Sequence, residues 1–220
     1  MSSLTLVIGN RNYSSWSLRP WLVLKQAGIP FDEQYIPIRS EAWNHRIGDL
    51  SPSGKVPALI HGEVRVWDSL AICEYLAERF PEKKLWPDAV ATRAEARSIS
   101  AEMHSGFMAL RQNMFMNIRR HMPTRGRTPE TLADIRRIED IWNSCRSRYA
   151  SEGPFLFGRF SIADAMYAPV ALRFQTYDFK LDGAAGDYAK TLLALPALQE
   201  WVAAARAEKE QLAHYEPLEA

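Results

Sequence analysis

The chain has 220 residues, 47% of them apolar and 24% charged, enough to bury a substantial core in one or two domains. Its 27 basic and 26 acidic residues leave a formal charge of +1, which gives no electrostatic case for a nucleic-acid or membrane-surface partner. Two cysteines, Cys73 and Cys145, without metal or redox spacing, argue against a disulfide framework and predict a reducing compartment. Met1 to Ile8 has neither a basic start nor a long apolar stretch, and no apolar run approaches the roughly 18 residues that cross a bilayer. The expectation is a cytoplasmic protein without signal peptide or bound metal.

Leu4-Thr5-Leu6-Val7-Ile8 is a short apolar run and predicts a buried strand. A polar turn follows over 10–15, then a helix over 17–27, with Pro20 in its first turn and Gly28 at its end. Residues 31–36 predict a second strand, stopped by Pro37. The polar stretch 39–53 reads as irregular, although Trp43, Ile47 and Leu50 interrupt it. Residues 56–60 and 64–67 predict two strands joined by the turn His61-Gly62-Glu63. Leu70, Cys73, Leu76, Ala77 and Phe80 then recur at helical spacing. The order strand, helix, strand, loop, strand, strand, helix is that of a thioredoxin-like α/β domain, assigned to residues 1–81.

Residues 82–90 read as a linker, and 91–220 as an all-helical domain. A single long helix is expected over 92–120, with Ile99, Met103, Leu110 and Met114 on one face. Residues 123–129, bounded by two prolines, break the pattern. A second amphipathic helix runs through Leu132, Ile135, Ile138, Ile141, Trp142, Cys145 and Tyr149. Two more are expected over 161–176 and 196–207. Ser161 and Asp164 have the spacing of a capping box.

Three segments carry candidate chemistry. The first is the turn Ser14-Ser15-Trp16-Ser17, where a thioredoxin-like domain would hold its redox cysteines. Serines cannot exchange disulfides, but a hydroxyl at a helix N-terminus can donate to a ligand's thiolate. Such a charged hydrogen bond is worth roughly 1.5–3 kcal/mol, or about 1–2 pKa units. A free thiol with pKa about 8.5 would then be about half ionised near pH 7. Ordinary helix capping by Ser14 or Ser17 fits the same residues. The second segment is Ser53-Gly54-Lys55-Val56-Pro57-Ala58-Leu59. A cis bond before Pro57 would turn the Val56 backbone toward a ligand, while a plain loop-to-strand proline is the simpler alternative. The third is Asp68-Ser69, a strand-to-helix junction. Its N–H groups and hydroxyl can take a carboxylate and its aspartate an ammonium, and capping again fits as well.

Taken together and in this order, the three segments resemble the glutathione transferase superfamily over the whole chain. The Ser14-to-Arg19 stretch is similar to the zeta class and more loosely to the tau class. The resemblance implies a thioredoxin-like domain followed by a helical one, and glutathione as co-substrate. It places the catalytic serine at Ser14, with Ser15 beside it. The peptide would lie on Lys55, Val56 and cis Pro57, and its γ-glutamyl end on Asp68 and Ser69. The activity implied is glutathione transfer to a small electrophile by a homodimer. The alternatives are a zeta-type isomerase or dehalogenase, for which Arg111 and Arg173 are candidate readers of an acidic substrate, and a non-catalytic interaction protein of the same fold. The stretch 102–107 resembles the beta class, where a histidine lies near the sulfur. With the sulfur at Ser14, the electrophile is expected between Trp16 and a helix stripe of His104, Phe107, Met108, Arg111 and Phe115, spaced by threes and fours. Core packing is the alternative for Phe107 and Met108.

Overall fold

The computed structural model describes residues 3–216. Its first half contains strands β1 (Leu4–Ile8), β2 (Asp32–Tyr35), β3 (Ala58–His61) and β4 (Val64–Trp67), with helices α1 (Ser15–Gln26), α2 (Glu41–Leu50) and α3 (Ser69–Arg79). The sheet order is β2-β1-β3-β4. β1 runs parallel to β2 and antiparallel to β3, with Leu6 opposite Leu59 and Val7 opposite Ala58. β1 is apolar on both faces because both are covered. Leu4, Leu6 and Ile8 enter the main core with α1 and α3, while Val7 joins Ile36, Ile47 and Ala58 in a smaller one.

That second face explains a departure from expectation. Residues 41–50 form helix α2 instead of an irregular loop. Ser40 caps it by accepting the Trp43 N–H at 3.0 Å, and Trp43, Ile47 and Leu50 lie along the face that covers Val7. Their spacing of four and three was a helical signal diluted by charged neighbours.

The second half is helical: α4 (Val90–Ser105), α5 (Met108–Asn113), α6 (Pro129–Tyr149), α7 (Ile162–Thr176), α8 (Gly183–Leu193) and α9 (Pro196–Ala207). The single helix expected over 92–120 is broken. α4 stops at Ser105, Phe107 takes a left-handed φ of 58°, and residues 114–120 are not helical. Two features fix the break. A side chain at Gly106 would meet the Glu102 carbonyl oxygen at 2.8 Å. The Arg111 guanidinium folds back to cap the carbonyls of Met103, His104 and Gly106, supplying the donors a helix C-terminus lacks. α8 was not anticipated. Its opening Gly-Ala-Ala-Gly hides the periodicity, yet Gly186 is required, because a Cβ there would lie 2.1 Å from the Leu181 carbonyl oxygen.

α7 is the central rod. All its residues except Gln175 are buried, and it packs on α1, α4 and α8. The capping box holds. Asp164 accepts the Ser161 N–H at 2.8 Å and also takes the Leu156 N–H and the Tyr188 hydroxyl, at 3.0 and 2.9 Å. Burial pushes its carboxyl up to about 6 against those hydrogen bonds. Asp164→Ala would leave these donors unsatisfied at about 1–3 kcal/mol apiece, so a loss of roughly 2–4 kcal/mol is expected. Urea unfolding with a midpoint near that of the unaltered protein would contradict this role.

Candidate functional site

A cleft of about 430 Å³ opens where the two halves meet. Lys55, Val56, Pro57, Asp68 and Ser69 line one side, and Trp16 and His104 also line it. Ser53 and Trp67 contribute as well, although sequence reasoning gave them no role. The Val56-Pro57 bond is cis.

The Asp68-Ser69 junction is built by helix capping. Asp68, at a φ of 75°, is the N-cap of α3, and its carboxylate accepts the Leu70 and Ala71 N–H groups at 2.9 and 3.2 Å. Its other oxygen faces His104 Nε2 at 3.0 Å, across to α4. Burial holds the His104 imidazole below its ordinary pKa, and the Asp68 charge opposes that shift. Ser69 Oγ and His104 Nδ1 are buried with no hydrogen-bond partner among the described residues. A capped helix start beside an unused hydroxyl is an anion-accepting arrangement, and the half-exposed Asp68 carboxylate beside it can take a cation.

The serine turn has a different character. Ser14 is the N-cap of α1. It accepts the Ser17 N–H at 3.2 Å and donates to Ser17 Oγ at 2.8 Å, which in turn accepts the Gly9 N–H. Ser15 Oγ instead accepts from Arg173 of α7 at 3.3 Å. Both serines are buried and neither lines the open cleft, whereas Trp16, next in the chain, does.

The expected electrophile stripe is not one surface. Trp16 and His104 stand edge-on, with ring centroids 5.3 Å apart. Phe107 is core, and Met108 is 56% exposed outside the cleft. Phe115 packs edge-on against Tyr177 and Tyr215. Arg111 lies over the Trp16 ring, 4.8 Å from its centroid, with its donors turned to the α4 carbonyls. The left-handed residue at Phe107 ends the helical spacing that would have aligned them.

Sequence reasoning missed what holds the turn. Glu208, just beyond α9, accepts the backbone N–H groups of Arg11 and Asn12 at 2.6 and 3.1 Å. Trp201 Nε1 donates to the Arg11 carbonyl at 3.0 Å, and Asn12 bonds to Asn117 at 2.9 Å. Tyr13 bonds to Glu216 and Arg119. These partners lie about a hundred to two hundred residues away in sequence, so no local pattern announces them.

Residues 13–79 match the family described as glutathione S-transferase, N-terminal domain, and residues 125–204 match glutathione S-transferase, C-terminal domain. The chain is 33% identical over 100 residues to a probable maleylacetoacetate isomerase of Caenorhabditis elegans, 46% of each protein. It is 26% identical over 168 residues to glutathione S-transferase GstB of Escherichia coli, 74% of this chain and 80% of that one. The chain spans less than half the length of the first curated relatives it matches, 46% of the nematode protein and 36% of a Dianthus caryophyllus glutathione S-transferase. Among solved structures, a glutathione transferase homologue from Burkholderia with bound glutathione aligns with a TM-score of 0.68 at 24% identity, covering 94% of this chain and all of that one.

Glu208→Ala would orphan two backbone donors in the turn. A loss of about 1–3 kcal/mol is expected, read as a lower urea midpoint at unchanged slope. An unmoved midpoint would show the strap to be dispensable.

Proposed function

Because this chain belongs to the cytosolic glutathione transferase superfamily, we propose that its cleft binds glutathione and that the bound thiolate attacks a small electrophile. The observation that carries the reading is the unpartnered Ser69 hydroxyl beside the Asp68 carboxylate at the α3 N-terminus. An amino-acid head group needs an anion acceptor and a cation acceptor side by side. In this reading the Ser69 hydroxyl and backbone N–H take the γ-glutamyl carboxylate, and Asp68 takes the ammonium. Val56, held by cis Pro57, meets the cysteinyl backbone, and Lys55 balances the glycyl carboxylate.

The sulfur then lies toward the start of α1, where the helix dipole and a serine hydroxyl lower its pKa. Ser14 is assigned the donor role, its hydroxyl turning from Ser17 to the thiolate, and Ser15 is the neighbouring candidate. Attack forms the carbon–sulfur bond as the leaving group departs or the acceptor takes up a proton. The electrophile pocket of this reading is reduced to the Trp16 and His104 wall. The proposed division is a glutathione-binding domain over 1–81 and a helical domain over 91–220, joined by 82–90, in a homodimer working in the cytoplasm. Among the described residues no helix is long and apolar enough to cross a membrane.

Two measurements test the reading. Ser69→Ala is expected to weaken glutathione binding about tenfold or more by calorimetry, the worth of one charged hydrogen bond, with little change in the bound thiol's pKa. Unaltered affinity in both Ser69→Ala and Asp68→Asn would refute the head-group assignment. Removing the hydroxyl that holds the thiolate should raise the bound thiol's pKa by about 1–2 units, followed by thiolate absorbance. A rise in Ser15→Ala but not in Ser14→Ala moves the role to Ser15; no rise in either removes it from both.

A further inference from the structure

His104 stands on the carboxylate that the transferase reading assigns to an ammonium. Asp68 Oδ1 accepts the Leu70 and Ala71 N–H groups at 2.9 and 3.2 Å, which leaves Oδ2 for a cation. His104 Nε2 lies 3.0 Å from that second oxygen. The α3 cap, at a φ of 75°, holds the carboxylate in this orientation. The imidazole comes from the last turn of α4 and is bonded on this side alone. Its Nδ1 is buried with no hydrogen-bond partner among the described residues, and its ring stands edge-on to Trp16, 5.3 Å between centroids.

Charges act on this imidazole from each element packed around it. Asp68, at the start of α3, is an anion; Arg19 of α1 and Arg111 of α5 are cations. Arg19 is wholly buried, 4.4 Å from the centroid of the Trp16 ring, and Arg111 lies 4.8 Å from the same centroid. Arg173 of α7 acts on Arg19 in turn and completes a cluster of three arginines. On α4 itself, Glu102 is bonded to Arg137 of α6 at 2.7 and 2.9 Å. Lys55 lines the same cleft. Burial holds the imidazole below its ordinary pKa; Asp68 opposes that shift, and Arg19 and Arg111 reinforce it. Near neutral pH the ring is therefore uncharged and donates to Asp68 as a neutral group.

The two protonation states of the ring treat an arriving ammonium differently. A carboxylate oxygen has two lone pairs, so a neutral imidazole can share Oδ2 with the ammonium, or turn aside for the loss of one neutral hydrogen bond. An imidazolium is a charge of the ligand's own sign in contact with the same oxygen, and Arg19 and Arg111 add to the repulsion. We propose that His104 is a proton-controlled gate on the head-group subsite: protonated, it keeps Asp68 in an ion pair and excludes the ammonium, and neutral, it yields the carboxylate. The gate rests on the transferase reading, in which Asp68 takes the γ-glutamyl ammonium, and adds regulation by pH to that subsite. An ammonium at Asp68 disfavours the proton on His104, so by linkage that proton disfavours the ammonium. Affinity is full above the pKa of His104 and falls as pH drops through it, by at most about tenfold per pH unit because one proton is exchanged.

The test uses S-methylglutathione, whose sulfur carries no proton and whose carboxylates and ammonium keep their charges between about pH 5 and pH 7. By calorimetry, its affinity for the wild-type protein is expected to fall at least about threefold from pH 7 to pH 5. Binding at the acid end should release a proton, read as unequal heats in two buffers of different ionisation enthalpy. His104→Gln keeps a donor but cannot be protonated, so its affinities at the two pH values should agree within about 1.5-fold and the released proton should disappear. A second arm needs no variant. The S-methyl derivative of glutaryl-cysteinylglycine has the same carboxylates and no ammonium, and its affinity for the wild-type protein should not change with pH. Flat wild-type affinity for S-methylglutathione overturns the gate and leaves the head-group assignment standing. A fall that persists in His104→Gln, or that the ligand without an ammonium shares, overturns the gate as well. No binding of S-methylglutathione at either pH overturns the transferase reading and the gate with it.

Discussion

The packing of α1 against α7 is the contact on which the rest of the molecule depends. α7 has no polar face, so it is stable only when enclosed on all sides, and α1 supplies one of those sides. Leu18, Trp21 and Leu22 of α1 are all buried. The same packing holds the start of α1 against α7, where Arg173 donates to Ser15 Oγ, and Arg19 is wholly buried. Asp164 anchors the other end of α7 by satisfying donors from three separate segments.

Polar groups are treated in two ways around the cleft. In the turn before α1, polar groups are paired from the C-terminal half: Glu208 accepts the Arg11 and Asn12 N–H groups, Asn117 accepts from the Asn12 amide, and the Arg119 N–H donates to Asn12 Oδ1. A turn braced in this way holds its serines at a fixed height relative to α1. In contrast, Ser69 Oγ, His104 Nδ1 and the Arg19 guanidinium are buried and unsatisfied, and all belong to residues that line the cleft or adjoin Trp16. Buried polar groups are normally paired. Here they gather along one cleft.

His104 and Trp16 join these two regions. His104 meets the Asp68 carboxylate with one nitrogen and stands edge-on to Trp16, which itself lies on Arg19 and Arg111.

The sequence by itself determined the order of strands and helices in the first eighty residues apart from α2, the capping box at Ser161, and the places where Val56-Pro57 and Asp68-Ser69 fall. These depend on residues within a few positions of one another: an apolar run, a capping side chain, a proline. Tertiary structure decided the rest. α2 exists because β1 has a second face to cover, and the break at Gly106-Phe107 because Arg111 turns back onto the end of α4. That break removed Phe107, Met108 and Phe115 from a stripe their spacing had suggested. The arginine cluster was illegible for the same reason. A net charge of +1 hides a local excess, and residues 19, 111 and 173 share no period or motif. Only tertiary packing sets Arg19 and Arg111 on one indole and brings Arg173 within electrostatic range of both, because long-range packing, unlike capping, leaves no local trace in the chain.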